Sequence, residues 1–215
     1  MLLIFNIFEL GIKEGEKNAY VAVGKNNITK SVFNDKGTLG MYLVQEKENP
    51  NMTYMFEVYE DEKSYQEHIK SEQYKEFLRQ SPIILTNHKK KIQVMPEYMG
   101  DKKFVQTRNT RVNYVTVDVK EGFNDAFREI VLDEMKQSIK KEEGVYVIYA
   151  ATAIGNPNKW YFFEIYENEK AYQKHRKTAH FKKYIEQTEN IIENKEFINI
   201  EGIKLLNKGN LNYVK

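Results

Sequence analysis

Along Arg111–Val119 apolar and polar residues alternate and place Val115, Val117 and Val119 on one side, the period-two pattern of a half-buried strand. After Gly122 the period changes. Phe123, Phe127, Ile130, Val131 and Met135 recur at helical spacing and predict an amphipathic helix ending near Gly144. Two β-rich runs follow, Val145 to Ala151 and Trp160 to Tyr166, joined by the turn-forming Gly155-Asn156-Pro157-Asn158. Two short helical pieces come next, Glu169 to Lys177 and Ala179 to Gln187, with Thr178 placed to cap the second. A strand from Phe197 to Leu205 closes the series.

The first half repeats this order. Tyr20 and Val23 mark its helix beside the polar Asn26-Asn27, Leu39 to Gln45 and Thr53 to Tyr59 match the paired strands, Ser71 takes the cap position, and Lys91 to Tyr98 closes it. A single offset of 107 superposes Met52–Leu78 on Lys159–Ile185 with 12 of 27 positions identical, where ordinary residue usage gives about two by chance. The same offset lays Lys13-Glu14-Gly15 on Lys120-Glu121-Gly122 and Asn49-Pro50-Asn51 on Asn156-Pro157-Asn158. A long period used only twice is a duplicated domain. The division reads as a first domain over 1–98, a linker over 99–109 and a second domain over 110–215.

Each copy therefore predicts an α+β fold in the ferredoxin-like order βαββαβ, with helices covering one face of an antiparallel sheet. The runs Tyr54–Tyr59 and Trp160–Tyr166 are apolar or aromatic on both faces, so the second face needs cover. The other copy is the expected partner, giving an intramolecular α/β-barrel that mimics a homodimer, open to further self-association.

Composition narrows the partners. The 33 Lys and Arg against 31 Asp and Glu, net +2, are spread over both halves without a basic stripe, so nucleic acid is not expected. The densest cationic run, His88-Lys89-Lys90-Lys91, reads as a solvated helix-to-strand connection. Cysteine is absent, which removes thiolate chemistry and suits a reducing cytoplasm. No stretch approaches the ~18 apolar residues of a membrane span, so a soluble, cytoplasmic protein is expected.

Several polar residues sit where packing alone does not ask for them. Asn6 and Asn113 occupy the same place on the apolar face of the first strand, and a buried amide needs partners. His68 and His175 follow Tyr65 and Tyr172 by three residues, beside the aromatic face of the first short helix, where an imidazole can take a phenolic proton. Glu57 and Glu164 stand mid-strand, on the same side as Tyr59 and Tyr166, and call for a hydrogen-bond partner or a raised pKa. His180 belongs to the second copy alone, with Gln73 in its place in the first. Five residues from His175 across a helix break, it lacks the i, i+4 spacing of a metal pair, so no metal is expected.

The segment Trp160–Tyr184, an aromatic strand ending in Glu-x-aromatic, an acidic turn and a helix carrying His before a small-residue break and a second His, resembles the antibiotic-biosynthesis-monooxygenase family of the dimeric α/β-barrel superfamily, nearest to its quinol monooxygenase-like members. The resemblance covers both copies. It implies cofactor-independent oxygenation of a small quinol- or phenol-type aromatic by dioxygen, with catalytic roles for His175, Asn113, His68 and Asn6. Substrate contacts are expected from His180, Trp160, Tyr166, Glu164, Tyr172 and Arg176, and the second copy, carrying the more family-like helix, is expected to hold the better site.

The main alternative is haem degradation, found in a branch of the same superfamily. There the aligned Trp and ligand positions fall on His68 and His175, and on Leu78 and Ile185, which leaves His175, His180 or His88 to ligate haem. A non-enzymatic small-molecule binder and a phospho-autoinducer-type isomerase are the other readings, the latter resting on Arg176 with Lys177 as a weak phosphate site.

Overall fold

In the computed structural model, which describes residues 2–215, each half of the chain runs strand, helix, two strands, two short helices and strand. Met1, where the expected first domain starts, lies outside the described residues. The first copy gives β1 (Ile4–Ile12), α1 (Lys17–Asn34), β2 (Thr38–Glu46), β3 (Met52–Tyr59), α2 (Glu62–His68), α3 (Glu72–Ile84) and β4 (Leu85–Ile92). After β5 (Val94–Asp101) the second copy gives β6 (Arg111–Val119), α4 (Asn124–Lys141), β7 (Val145–Ala153), β8 (Asn156–Tyr166), α5 (Glu169–His175), α6 (Ala179–Thr188) and β9 (Ile192–Ile198), followed by β10 (Ile200–Asn207) and β11 (Asn212–Val214).

Local chemistry sets the boundaries. Gly15 and Gly122 take positive φ in the turn between first strand and first helix, a conformation that L side chains resist. Asp61 and Asn168 accept from the backbone N–H of Ser64 and Ala171 and start α2 and α5. Ser71 and Thr178 do the same for Tyr74 and Phe181. Each such cap is worth about 1 kcal/mol, and together they fix the break that separates the two short helices in both copies.

The α+β class and the ferredoxin-like order hold in both copies, but no closed barrel forms among the described residues. There are two open antiparallel sheets, ordered β10-β2-β3-β1-β4 and β11-β5-β7-β8-β6-β9. Each retains two edges. The closing strands expected at 91–98 and 197–205 are corrected as well: each divides in two, at Gln93 and Asn199, because the chain leaves one sheet there and joins the other. Among the described residues the first compact unit is accordingly 2–94, Phe104–Gln106 and Ile200–Gly209, and the second is Met95–Lys103, Thr107–Asn199 and Asn210–Lys215. Of the stretch read as a linker, 99–101 belong to β5, and 102–109 form neither strand nor helix. The cationic run 88–91, read as a connection, lies on edge strand β4 with its side chains exposed, where lysines discourage pairing with a further strand.

In the second unit the helix-covered face of the sheet carries Val115, Val117, Trp160, Phe162 and Tyr166, packed against Phe127, Val131 and Met135 of α4 and Tyr184 of α6. Phe127 meets Trp160, Phe162 and Tyr184 edge-on at ring separations of 5.2, 6.3 and 6.3 Å. In the first unit the matching core is Leu10, Tyr20, Ile28, Val32, Leu43 and Met55. Pro82 lies inside α3, in its last turn, as the chain turns into β4. No helix of the described residues is long and apolar enough to cross a membrane.

Candidate functional site

The break between α5 and α6 brings together what sequence spacing kept apart. His175 ends α5, His180 lies in the first turn of α6, and Glu142 caps the C-terminus of α4. Glu142 Oε1 stands 3.0 Å from His175 Nδ1 and 2.6 Å from His180 Nε2. The turn at 176–178 resets the helical phase, so two histidines five residues apart, off the i, i+4 spacing, point at one carboxylate. On the far side of His175, its Nε2 is 3.7 Å from Glu134 Oε1, and Glu134 accepts from Ser138 Oγ at 2.6 Å.

These groups tune one another. Burial pushes the Glu134 carboxyl up to about 7, against the opposing pull of the His175 charge and the Ser138 hydroxyl. Burial also works against the His175 cation, but the bond to Glu142 and the carboxylates of Glu134 and Glu164 overcome it and hold the imidazole above its ordinary value. For Glu142 burial is outweighed by the two histidines, which keep it below the usual carboxylate range. With Glu142 accepting the Nδ1 proton, Nε2 of His175 is the nitrogen left to accept a proton.

A second polar group lines the sheet beside them. Asn113 Nδ2 donates to Glu164 Oε2 at 3.1 Å, and the Tyr166 hydroxyl donates to the same oxygen at 2.8 Å. Arg111 Nε donates to Asn113 Oδ1 at 3.1 Å, and its guanidinium lies 4.2 Å from the centre of the Tyr172 ring and pairs with Glu169. The Asn113 amide is thereby locked between a cation and a carboxylate. Burial and the Glu164 charge push the Tyr166 hydroxyl far above its ordinary value.

His175, Glu134, Glu164, Tyr172, Tyr184 and Lys195 face an inner cavity of about 40 Å³ whose remaining wall is apolar. An open cleft of about 850 Å³ lies along α4 and α6, and Glu134 and Tyr184 line both spaces. The inner cavity has room for dioxygen or a few waters, not for an aromatic ring. Of these two spaces, the cleft has the volume that small-molecule sites need, as does a second open groove of about 550 Å³ along α5 and α6 that Arg176 and Phe181 line.

Other expected site residues fall elsewhere. Trp160 is fully buried in the core, its indole N–H bonded to Asn124 Oδ1 at 2.8 Å, and it does not line the cavity. Tyr166 lies behind Glu164, and Arg176 is exposed, 5.8 Å from the Tyr172 ring centre. His180 bonds to Glu142, and its ring centre lies 6.3 Å from that of His175. In the first unit His68 is fully buried, with Nδ1 3.5 Å from Asp35 Oδ2. Asn6 is buried opposite Glu57 in register, and Glu57 accepts from Tyr59 at 2.8 Å. Burial raises the Glu57 carboxyl against the opposing His68 charge and Tyr59 bond. The sequence reading missed Glu134, Ser138 and Glu142. Their spacing of four places them on one face of α4, and an acid beside Val131 and Met135 on an apolar face was the available signal.

The sequence profile of the family described as antibiotic biosynthesis monooxygenase matches residues 3–80 and again 110–187. A candidate monooxygenase from Lactobacillus acidophilus NCFM superposes with a TM-score of 0.94 at 28% identity, covering 99% of this chain and 100% of that one. A candidate monooxygenase from Fusobacterium nucleatum gives 0.93 at 28% identity, covering 100% and 98%. An anthrone oxidase-like protein shares the fold alone, with a TM-score of 0.56 at 8% identity over 96% and 97% of the two chains. No protein of curated function matches the sequence. Two profile matches, one in each copy and together spanning most of the chain, establish that it belongs to the antibiotic biosynthesis monooxygenase family.

Proposed function

We propose that the second unit is the working site of a monooxygenase that oxidises a quinol- or phenol-type aromatic with dioxygen and draws its electrons from the substrate itself. The carrying observation is the His175 imidazole, oriented through Nδ1 by Glu142, with Nε2 3.7 Å from the carboxyl that borders both cleft and cavity. The ring lies in the cleft against Glu134 and Tyr184, and dioxygen occupies the inner cavity. The phenolic proton passes to the Glu134–His175 pair, in which burial lifts the carboxyl to about 7 and the surrounding carboxylates hold the imidazole above its ordinary value. The electron-rich phenolate then reduces dioxygen. For an anthrone-type CH₂ the balance is CH₂ + O₂ → C=O + H₂O, with no external reductant. Asn113 acts at one remove by holding Glu164, and Tyr172 and Lys195 complete the wall.

Dissolved oxygen is followed with metal-chelated protein against hydroquinones and anthrone-type phenols. Uptake that falls by about 10²-fold or more in His175→Ala and Glu134→Gln, and by less in Asn113→Ala, supports the reading. Uptake seen only with haem and a reductant, or with none of the compounds, overturns it.

A further inference from the structure

We propose that Glu134, His175 and His180 form a binding site for a divalent first-row transition metal, with Zn²⁺ as the probe ion. One ligand atom from each lies within 4.8 Å of the other two. Tetrahedral coordination with bonds of about 2.0–2.1 Å sets ligand atoms roughly 3.3 Å apart, so the cluster needs to close by about 1.5 Å or less. The His175 Nε2 to Glu134 Oε1 separation of 3.7 Å is already near that spacing. Two imidazoles and a carboxylate without thiolate form a borderline donor set that leaves a coordination position for water. Glu142 supplies the outer layer: by accepting the Nδ1 proton of His175 it fixes Nε2 as the ligating nitrogen.

The first copy provides an internal contrast. At the offset of 107 it keeps the histidine and the helix-end acid as His68 and Asp35, but has Asn27 for Glu134 and Gln73 for His180. Those two amides close the same spot by hydrogen bonding: Gln73 Nε2 donates to Ser31 Oγ at 3.2 Å and to Asp35 Oδ2 at 3.1 Å, and Ser31 Oγ donates to Asn27 Oδ1 at 3.3 Å. Packing of this fold therefore does not require two imidazoles and two carboxylates here. Both positions that differ are the positions that complete a ligand set. A buried Glu134 near Glu142 and Glu164 is costly by itself, and a cation offsets that cost.

The inference does not rest on the base reading, and the two uses of His175 compete, since Nε2 cannot hold a metal and accept a proton together. The test is calorimetric titration of Zn²⁺ into the chelator-stripped full chain at about pH 7.5, because metal ligands must give up their protons to bind, with Co²⁺ absorption as a second probe. One ion per chain is expected, with affinity weakened about tenfold or more by His180→Gln and by Glu134→Asn and unchanged by His88→Gln. Both weakening variants carry residues the first copy already packs, and circular dichroism checks their folding. The pair Asn27→Glu with Gln73→His is expected to add a second equivalent. Absence of binding in the unaltered chain, or binding that persists at full strength in both weakening variants, overturns the site. Binding is read without turnover: no Zn²⁺ heat with intact oxygen uptake removes the metal site alone, and Zn²⁺ binding without uptake removes the base reading alone.

Discussion

Replacing Glu142 with glutamine keeps the size of the side chain and removes the charge that two histidines share. In the metal-free protein it breaks a 3.0 Å bond from His175 Nδ1 and a 2.6 Å contact with His180 Nε2, and one neutral acceptor remains for the pair. Hydrogen bonds to a charged group are worth about 1.5–3 kcal/mol each and neutral ones about 0.5–1.5, so the expected net loss is roughly 2–4 kcal/mol. That corresponds to a fall in Tm of about 5–15 °C for a chain of this size. The pH dependence follows from the two shifts. The raised pKa of His175 gives a contribution complete below the unfolded value of 6.5 and lost as pH rises through the folded one. The lowered pKa of Glu142 gives a contribution complete above its unfolded value of 4.5 and lost as pH falls through the folded one. The pair is therefore worth most between those two values, and the penalty of Glu142→Gln is largest near pH 6 and shrinks on the alkaline side. Urea unfolding at several pH values, with chelator present, measures it. In the first copy Asp35→Asn is the control: Asp35 is 23% exposed and 3.5 Å from His68, so its loss is expected below about 1 kcal/mol. A Glu142→Gln penalty under about 0.5 kcal/mol at pH 6, or one that grows towards pH 9, refutes the reasoning.

Phe127→Ala removes a fully buried ring that touches three other aromatics and is expected to cost about 3–5 kcal/mol in urea unfolding; a cost under about 1.5 kcal/mol argues against a tightly packed second core. Leu205→Ala is expected to lose about 2–4 kcal/mol from the first unit, although the residue lies near the chain's end, because Leu205 is buried opposite Tyr42 of β2. Hydrogen exchange reads the location: faster exchange in β2 is expected, and faster exchange confined to β6 and β9 refutes the strand assignment.

Much of this architecture is legible in the sequence. The duplication, the alternation in β6, the caps at Ser71 and Thr178 and the mid-strand position of Glu164 are all written locally, in side chains that decide a turn, a cap or a face within a few residues. The destination of the final strands was not, since the pattern of Lys91–Tyr98 or Phe197–Leu205 says that a segment is extended but not which sheet edge accepts it. Trp160 misled for a related reason. The family resemblance implied a ligand contact for Trp160, whereas its neighbours Phe127 and Asn124 hold it in the core. The convergence of His175 with His180 depended on how a three-residue turn rotates one helix against the next, and the part played by Glu134 and Glu142 depended on where α4 sits against the sheet. Spacing within a segment carries neither.

The two copies keep the same frame and differ in what that frame holds. Each retains the first-strand Asn, the mid-strand Glu with a Tyr two residues on, and the helix His, so these four positions do structural work in both units whatever else they do in one. Around the histidine the copies part: the second surrounds it with Glu134, Glu142 and His180, the first with Asn27, Asp35 and Gln73. In an assembly of identical subunits every site carries the same residues, and a change that strengthens chemistry at one site burdens all of them with the same buried charge. Joining two copies in one chain removes that constraint. One copy can then place the neutral amides Asn27 and Gln73 beside its histidine, while the other places Glu134 and His180 there, at the desolvation cost that buried charged groups carry.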